Sequence, residues 1–300
     1  MIYHVRHTSS LRYSAPVTQA QFNLRLAPWP WPGQTLRERT LHITPGPATR
    51  EDTAGPYCVN TTHIGFTRPL EELDVTSEFT VMVEPPPLPG EGPSVAQLRN
   101  ETSEVRDLSI VSPVPYLFAS RIAGIDNAIG NWAETHLTPD SGVVVAASAL
   151  MKAINREFTY SENATTTSTP PELAFAKREG VCQDFAHIMI VALRSHGIPA
   201  AYASGYLRTL PPPGKEKLVG ADAMHAWVNV WCGQGLGWIG FDPTNDCLAR
   251  EDHILIGMGR DYADVSPIDG TFIGSAPQEM ESSVDVTEVE LHPAPSITNG

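Results

Sequence analysis

The chain has 300 residues, 41% hydrophobic and 18% charged, enough for two domains that each bury a core. Its net charge of −14, from 20 basic and 34 acidic residues, argues against nucleic acid or an anionic membrane as partner, since both demand clustered Lys and Arg. No apolar run approaches the ~20 residues of a membrane span, and "MIYHVRHTSS" lacks the apolar core of a secretory signal, so the expected location is the cytoplasm.

Residues 1–84 read as an N-terminal β-sandwich domain. Strand-length runs with partial alternation occupy 3–13, 18–28 and 36–46, and a clearer one, 71–85, carries Val75, Phe79, Val81 and Val83. Trp29 and Trp31, set among prolines in "APWPWPG", suit packing over the sandwich end or a binding platform. Pro and Gly dominate 85–94, which cannot propagate helix or sheet and reads as a linker. A second domain is expected over 95–292, followed by a disordered tail at 293–300.

The second domain opens with helices. In 141–158, Val144, Ala147, Met151, Ile154 and Phe158 recur at helical steps, with Asp140 and Ser141 offering an N-cap. A polar loop, "TTTSTPPE", covers 165–172. The next helix begins near Cys182 and presents Val181, Phe185, Ile188, Met189, Ala192 and Leu193 as its apolar stripe, with Gly197 and Pro199 as the stop. The period then becomes two. "AAYASGYL" (200–207) reads as a buried strand and "PPPGK" (211–215) as a loop, while "MHAWVNVW" (224–231) alternates and "GWIGFDP" (237–243) follows a turn.

Four cysteines, Cys58, Cys182, Cys232 and Cys247, form no C-x-x-C pair and are too few for a disulfide scaffold, so free thiols are expected. Cys182 stands apart. A thiol nucleophile must be ionised, and the first turn of a helix supplies unpaired N–H groups and partial positive charge that favour the thiolate. Acyl transfer also needs a histidine that holds a proton and returns it to the leaving amine. His225 shares a strand face with Trp227, Asn229 and Trp231. If 224–231 and 237–243 pair as a hairpin, opposed residue numbers sum to about 469, which sets His225 diagonal to Asp242 on one face; a sum of about 467 sets them directly opposite. Either places a carboxylate where it fixes the imidazole tautomer. An even sum would part them.

"REGVCQDFAHIMIVALRSHGIPAAYASGYL", "DAMHAWVNVW" and "GWIGFDPTND" resemble the core of the bacterial transglutaminase-like superfamily. "YHVRHTSSLRYSAPV" and "LRLAPWPWPGQ" resemble the β-domain that precedes this core in one bacterial branch, and 259–274 resembles that branch's C-terminal segment. The resemblance implies an α+β fold: an N-terminal β-sandwich followed by a papain-like transglutaminase core, with helices packed on an antiparallel sheet. It implies Cys182 as nucleophile, His225 as base and Asp242 as the orienting acid. Gln183 stands where animal transglutaminases carry Trp, and no D-x-[DN]-x-[DN]-G calcium loop is present. The expected reaction is therefore cysteine-dependent cleavage of a peptide or protein amide, with amine transfer as the alternative enzyme and a non-enzymatic interaction module as the alternative class. Trp227, Trp231 and Trp238 suit a groove wall or an amine passage.

Gln183, Asp184, His187, Trp227 and Asn245 are expected to support the site or touch substrate, with Asp184 and His187 bonding each other or capping nearby loops. Zinc on Cys182, His187 and His225 is set aside, because no H-x-x-x-H or C-x-x-C pair accompanies them. No metal or other cofactor is expected.

Overall fold

One strand organises the N-terminal half in the computed structural model, which describes residues 1–162, 164–209, 222, 224–275 and 277–289. The runs expected at 3–13 and 18–28 are a single strand, β1 (Ile2–Leu24). Its register breaks between Arg12 and Val17, where Pro16 has no N–H to donate, and again between Thr18 and Gln21, beside Gln19 at φ 48°. The two halves of β1 therefore lie in two sheets. β2 (Gln34–Thr44), β3 (Thr49–Ala54), β4 (Cys58–Gly65) and β5 (Leu70–Val83) complete the N-terminal strands, of which β3 and β4 were not foreseen. β5 pairs mainly with the first half of β1 and β4 with the second. Leu11, Tyr13, Phe22, Ile64, Leu73 and Val75 from both sheets share one apolar core.

The remaining elements follow in order: α1 (Val95–Glu104), α2 (Asn127–Ala133), α3 (Val143–Glu157), β6 (Thr159–Tyr160), α4 (Pro171–Lys177), β7 (Glu179–Gly180), α5 (Cys182–Ser195), β8 (Ala200–Leu207), β9 (Met224–Trp231), β10 (Trp238–Asp242), β11 (Cys247–Leu248), β12 (His253–Gly259), α6 (Tyr262–Val265), β13 (Ile268–Ile273) and β14 (Gln278–Glu288). The fold is α+β: among the described residues, six helices pack on an antiparallel sheet whose path runs β11-β10-β9-β8-β12-β4-β1-β5-β2. No helix among the described residues is long and apolar enough to cross a membrane.

Several expectations need correction. Strands from beyond the 85–94 segment return to the N-terminal ones. β13 and β14 return to pair with β1, so 268–288 belong by pairing to the N-terminal sheets rather than to a 95–292 unit. β12 also pairs with β4, and Gln34 bonds both the N–H and the carbonyl of Leu255, at 2.8 Å each. The 85–94 segment itself runs along a cavity of about 640 Å³ beside Trp31, Trp227 and Trp238 rather than as a free spacer. Trp29 and Trp31 pack toward Met258 and Trp238 of the core sheet instead of over the sandwich end. α3 is entered through Gly142, with no side-chain cap from Asp140 or Ser141. The expected loop at 165–172 is shorter, because α4 begins at Pro171, whose fixed φ suits a first helical position. The loop at 211–215 and the tail at 293–300 lie outside the described residues.

α5 is buried all round from Gln183 to Leu193, not along one stripe. It is the central helix, with α2, α3 and α4 on one side and β8 and β9 on the other. It stops as expected: Gly197 adopts φ +69°, and Ile198 N–H reaches back to the Leu193 carbonyl at 3.0 Å.

Candidate active site

Cys182 is the first residue of α5 and is partly exposed. Two short contacts fix the chain that leads into it. β6 and β7 pair in parallel, setting Tyr160 against Gly180. Asp184, one turn in, accepts the Val181 N–H at 2.8 Å and the Thr165 hydroxyl at 2.6 Å. A carboxylate thus caps the helix from which the thiol projects. Burial pushes the Asp184 carboxyl up, opposed by the Thr165 and Val181 hydrogen bonds.

The β9–β10 hairpin takes the expected register: Trp238 opposes Trp231 and Phe241 opposes Val228. His225 is therefore diagonal to Asp242, and its Nε2–H donates to Asp242 Oδ2 at 2.7 Å. That leaves Nδ1 unengaged by Asp242, and the Cys182 thiol lies near enough to the imidazole to act on it electrostatically. Across the strand on β8 sits Gly205. A Cβ there would lie 2.1 Å from the Ile254 carbonyl and 2.6 Å from the Trp227 ring, so only glycine lets β8 lie beside the site. Burial alone would lower the His225 pKa; the hydrogen bonds and charges of Asp242 and Cys182 outweigh it and raise it.

Asp242 is 0% exposed. Its Oδ1 accepts the backbone N–H groups of Thr244 (2.9 Å) and Asn245 (3.2 Å). Its Oδ2 accepts His225, the Asn245 side chain at 2.7 Å and His253 at 3.1 Å. Burial would push this carboxyl up, but donation by His225 and His253 holds it far below the usual carboxylate range.

The other expected residues divide. Asn245 and Trp227 are at the site, the indole stacking on His225 at 6.2 Å with planes 27° apart. Gln183 is buried and donates to the Thr167 carbonyl at 3.0 Å, tying down the 165–170 loop. Asp184 and His187 do not bond each other: each braces a neighbouring segment, His187 by accepting the Tyr262 N–H at 3.2 Å while stacked on Tyr202. Burial lowers His187 to about 4. Trp227 and Trp231 are buried, and the Trp238 indole N–H donates to the Val111 carbonyl at 2.9 Å.

Two residues at the site escaped the sequence reading. His253 was hidden because β12 carries no strict alternation. Tyr160, which packs edge-on against Phe185 of α5 and whose hydroxyl is raised by burial and by the charge of Cys182, sits near the helix start on a strand of two residues, too short for any periodic signal. His225 Nε2, Asp242 Oδ2 and His253 Nε2 lie within 4.8 Å of one another and could hold a metal. His225 and His253 both donate to Asp242 Oδ2. This set differs from the Cys182–His187–His225 zinc set considered above, in which the His187 Nε2 is taken up by Tyr262.

A partly exposed thiol on a helix N-terminus, an imidazole and a buried carboxylate, on a helix and sheet of this topology, define a transglutaminase-like protein. The comparisons agree. The transglutaminase-like superfamily matches residues 131–243, and the bacterial transglutaminase-like N-terminal region matches residues 3–82. An uncharacterized protein of Mycobacterium tuberculosis is 37% identical over 299 residues, covering 96% of this chain and 93% of its own. The chain belongs to the transglutaminase-like superfamily, in the bacterial branch that carries this N-terminal region. A protein-glutamine gamma-glutamyltransferase of Pseudomonas aeruginosa is 34% identical over 115 residues, 37% of this chain and 16% of that protein. A solved structure from Cytophaga hutchinsonii, described as a candidate cysteine protease, has a TM-score of 0.72 at 22% identity and covers 98% of this chain and 93% of that one. At that identity the likeness speaks to the fold. Family membership supports a thiol-dependent activity in general.

Proposed function

We propose that the protein is a cysteine-dependent hydrolase of peptide or protein amides, with Cys182 as nucleophile, His225 as acid and base, and Asp242 as the group that orients His225. The observation that carries this reading is the placement of one imidazole between a helix-start thiol and a buried carboxylate. His225 takes the Cys182 thiol proton, and the resulting thiolate attacks the amide carbonyl carbon while the π electrons move to oxygen. The Cys182 backbone N–H, free at the helix start, is a donor for that oxyanion. The tetrahedral centre collapses, the C–N bond breaks, and His225 gives its proton to the leaving amine. A thioester on Cys182 remains. Water attacks it, His225 takes the water proton, the C–S bond breaks, and the acid leaves. Asp242 stays ionised throughout, because its hydrogen bonds hold the carboxyl far down, and it stabilises the imidazolium in each half-reaction.

The reading that water is the acceptor draws support from the tryptophans. The Trp227 indole N–H donates to Asn229 at 3.2 Å and that of Trp238 to the Val111 carbonyl at 2.9 Å, so neither N–H is offered to an incoming amine, although both rings edge the 640 Å³ cavity. The Pseudomonas glutamyltransferase, similar over part of the core, favours amine transfer as the second reading. Partition decides between them: an acyl-donor peptide is supplied with and without a high concentration of a primary amine. Free acid at every amine concentration is expected. Amide as the main product at modest amine concentration would overturn the hydrolase.

A further inference from the structure

We infer that His253 is a positioning residue, a second imidazole that fixes the Asp242 oxygen on which His225 hangs. His253 opens β12 and is buried. Its Nδ1 faces the Arg250 backbone N–H at 3.4 Å, a donor only, so that nitrogen must be the acceptor and the proton sits on Nε2. Nε2–H then donates to Asp242 Oδ2. The same indole that stacks on His225, that of Trp227, meets His253 edge-on at 5.2 Å and 79°. One ring thereby sets the angle of both imidazoles to one carboxylate. With the Asn245 amide, three N–H donors converge on Oδ2 and two on Oδ1, and the carboxylate cannot turn.

The His253 bond has an electrostatic consequence. Its N–H dipole points its positive end at the oxygen shared with His225, so it draws on the same lone pairs and opposes the imidazolium. Asp242 holds His225 in place without binding its charge so tightly that the proton is withheld from the leaving amine. The titratable groups around the pair are Cys182 from α5, Asp242 from β10, His253 from β12 and, beside Asp242, Cys247 from β11, whose thiol burial pushes up to about 11. No charged group other than Asp242 stands between the two imidazoles among the described residues.

The functional part of this inference rests on the hydrolase reading; its structural part does not. His253 also lines the 640 Å³ cavity, which leaves room for replacement side chains. His253→Leu removes the donor, and His253→Gln can restore an N–H. In His253→Leu, kcat is expected to fall at least tenfold with KM little changed. The alkaline limb of kcat/KM, where His225 loses its proton, should move up by roughly half a unit to one unit. His253→Gln should return the limb toward the wild-type position. A His253→Leu profile that superimposes on wild type after scaling would overturn the inference. Should that variant not fold, the wild-type protein answers by ¹⁵N NMR of its imidazoles: His253 protonated on Nε2 is required, and protonation on Nδ1 sinks the idea. The NMR result stands whether or not the enzyme reading does, and His225→Ala in the same assay reports separately on that reading.

Discussion

At the scale of single residues, the four cysteines separate by surroundings. Burial pushes the Cys58 thiol up to about 11, Cys232 to about 12 and Cys247 to about 11, the last also repelled by nearby carboxylates. Among the described residues, Cys182 is the one of the four set beside an imidazole. Limiting iodoacetamide at pH 6 should modify Cys182 first, and in His225→Ala that labelling should slow; equal labelling of all four thiols would refute the assignment. Asp242→Asn should lower turnover by on the order of a thousandfold or more while the protein stays folded, because the amide cannot stabilise the imidazolium. A kcat within a few fold of wild type would remove Asp242 from the mechanism. The positions of Cys182, His225 and Asp242 were legible in the sequence because each occupies an element with a clear signal: a helix start after glycine, an alternating strand, and an Asp-Pro turn. His253 was not, because its contact joins β12 to Asp242 at the end of β10, and no local pattern encodes that meeting.

Helix and strand boundaries set the site's geometry. The expected register of β9 against β10 held because Trp231 and Trp238 flank a short turn, and period-two alternation admits only odd sums if Asp242 is to face His225. The start of α5 was legible, but its burial was not: periodicity finds the most apolar face and cannot see that α2, α3 and α4 cover the other side. Asp184 joins that helix start to the Thr165 loop. Asp184→Ala should cost about 0.5–2 kcal/mol of stability through the lost cap and loosen the loop that Gln183 also holds. Urea unfolding measures the first effect and limited proteolysis near 165–170 the second. An unchanged urea midpoint would show that the cap adds nothing to stability here.

For the whole molecule, the sequence misled most where chain order and spatial order differ. Pro and Gly at 85–94 mark a break in regular structure, yet strands from far along the chain return to β1, and such pairing leaves no mark on local composition. A chain beginning near residue 95 loses β1, β4 and β5 and exposes Tyr206, Ile254 and Ile256, now buried against Tyr3, Val5, Phe79 and Val81. It should aggregate or unfold; a soluble, cooperatively folded product by circular dichroism and sedimentation would show the two parts to be independent. The central claim, that amide cleavage passes through an acyl-enzyme on Cys182, is tested most directly by acid-quenching the protein milliseconds after mixing with a peptide library and mapping the adduct by mass spectrometry. The account predicts an acyl group bound as a thioester to the peptide containing Cys182, absent in Cys182→Ala and cleared by hydroxylamine. Product formation with no adduct on Cys182, or with activity retained in Cys182→Ala, would contradict it.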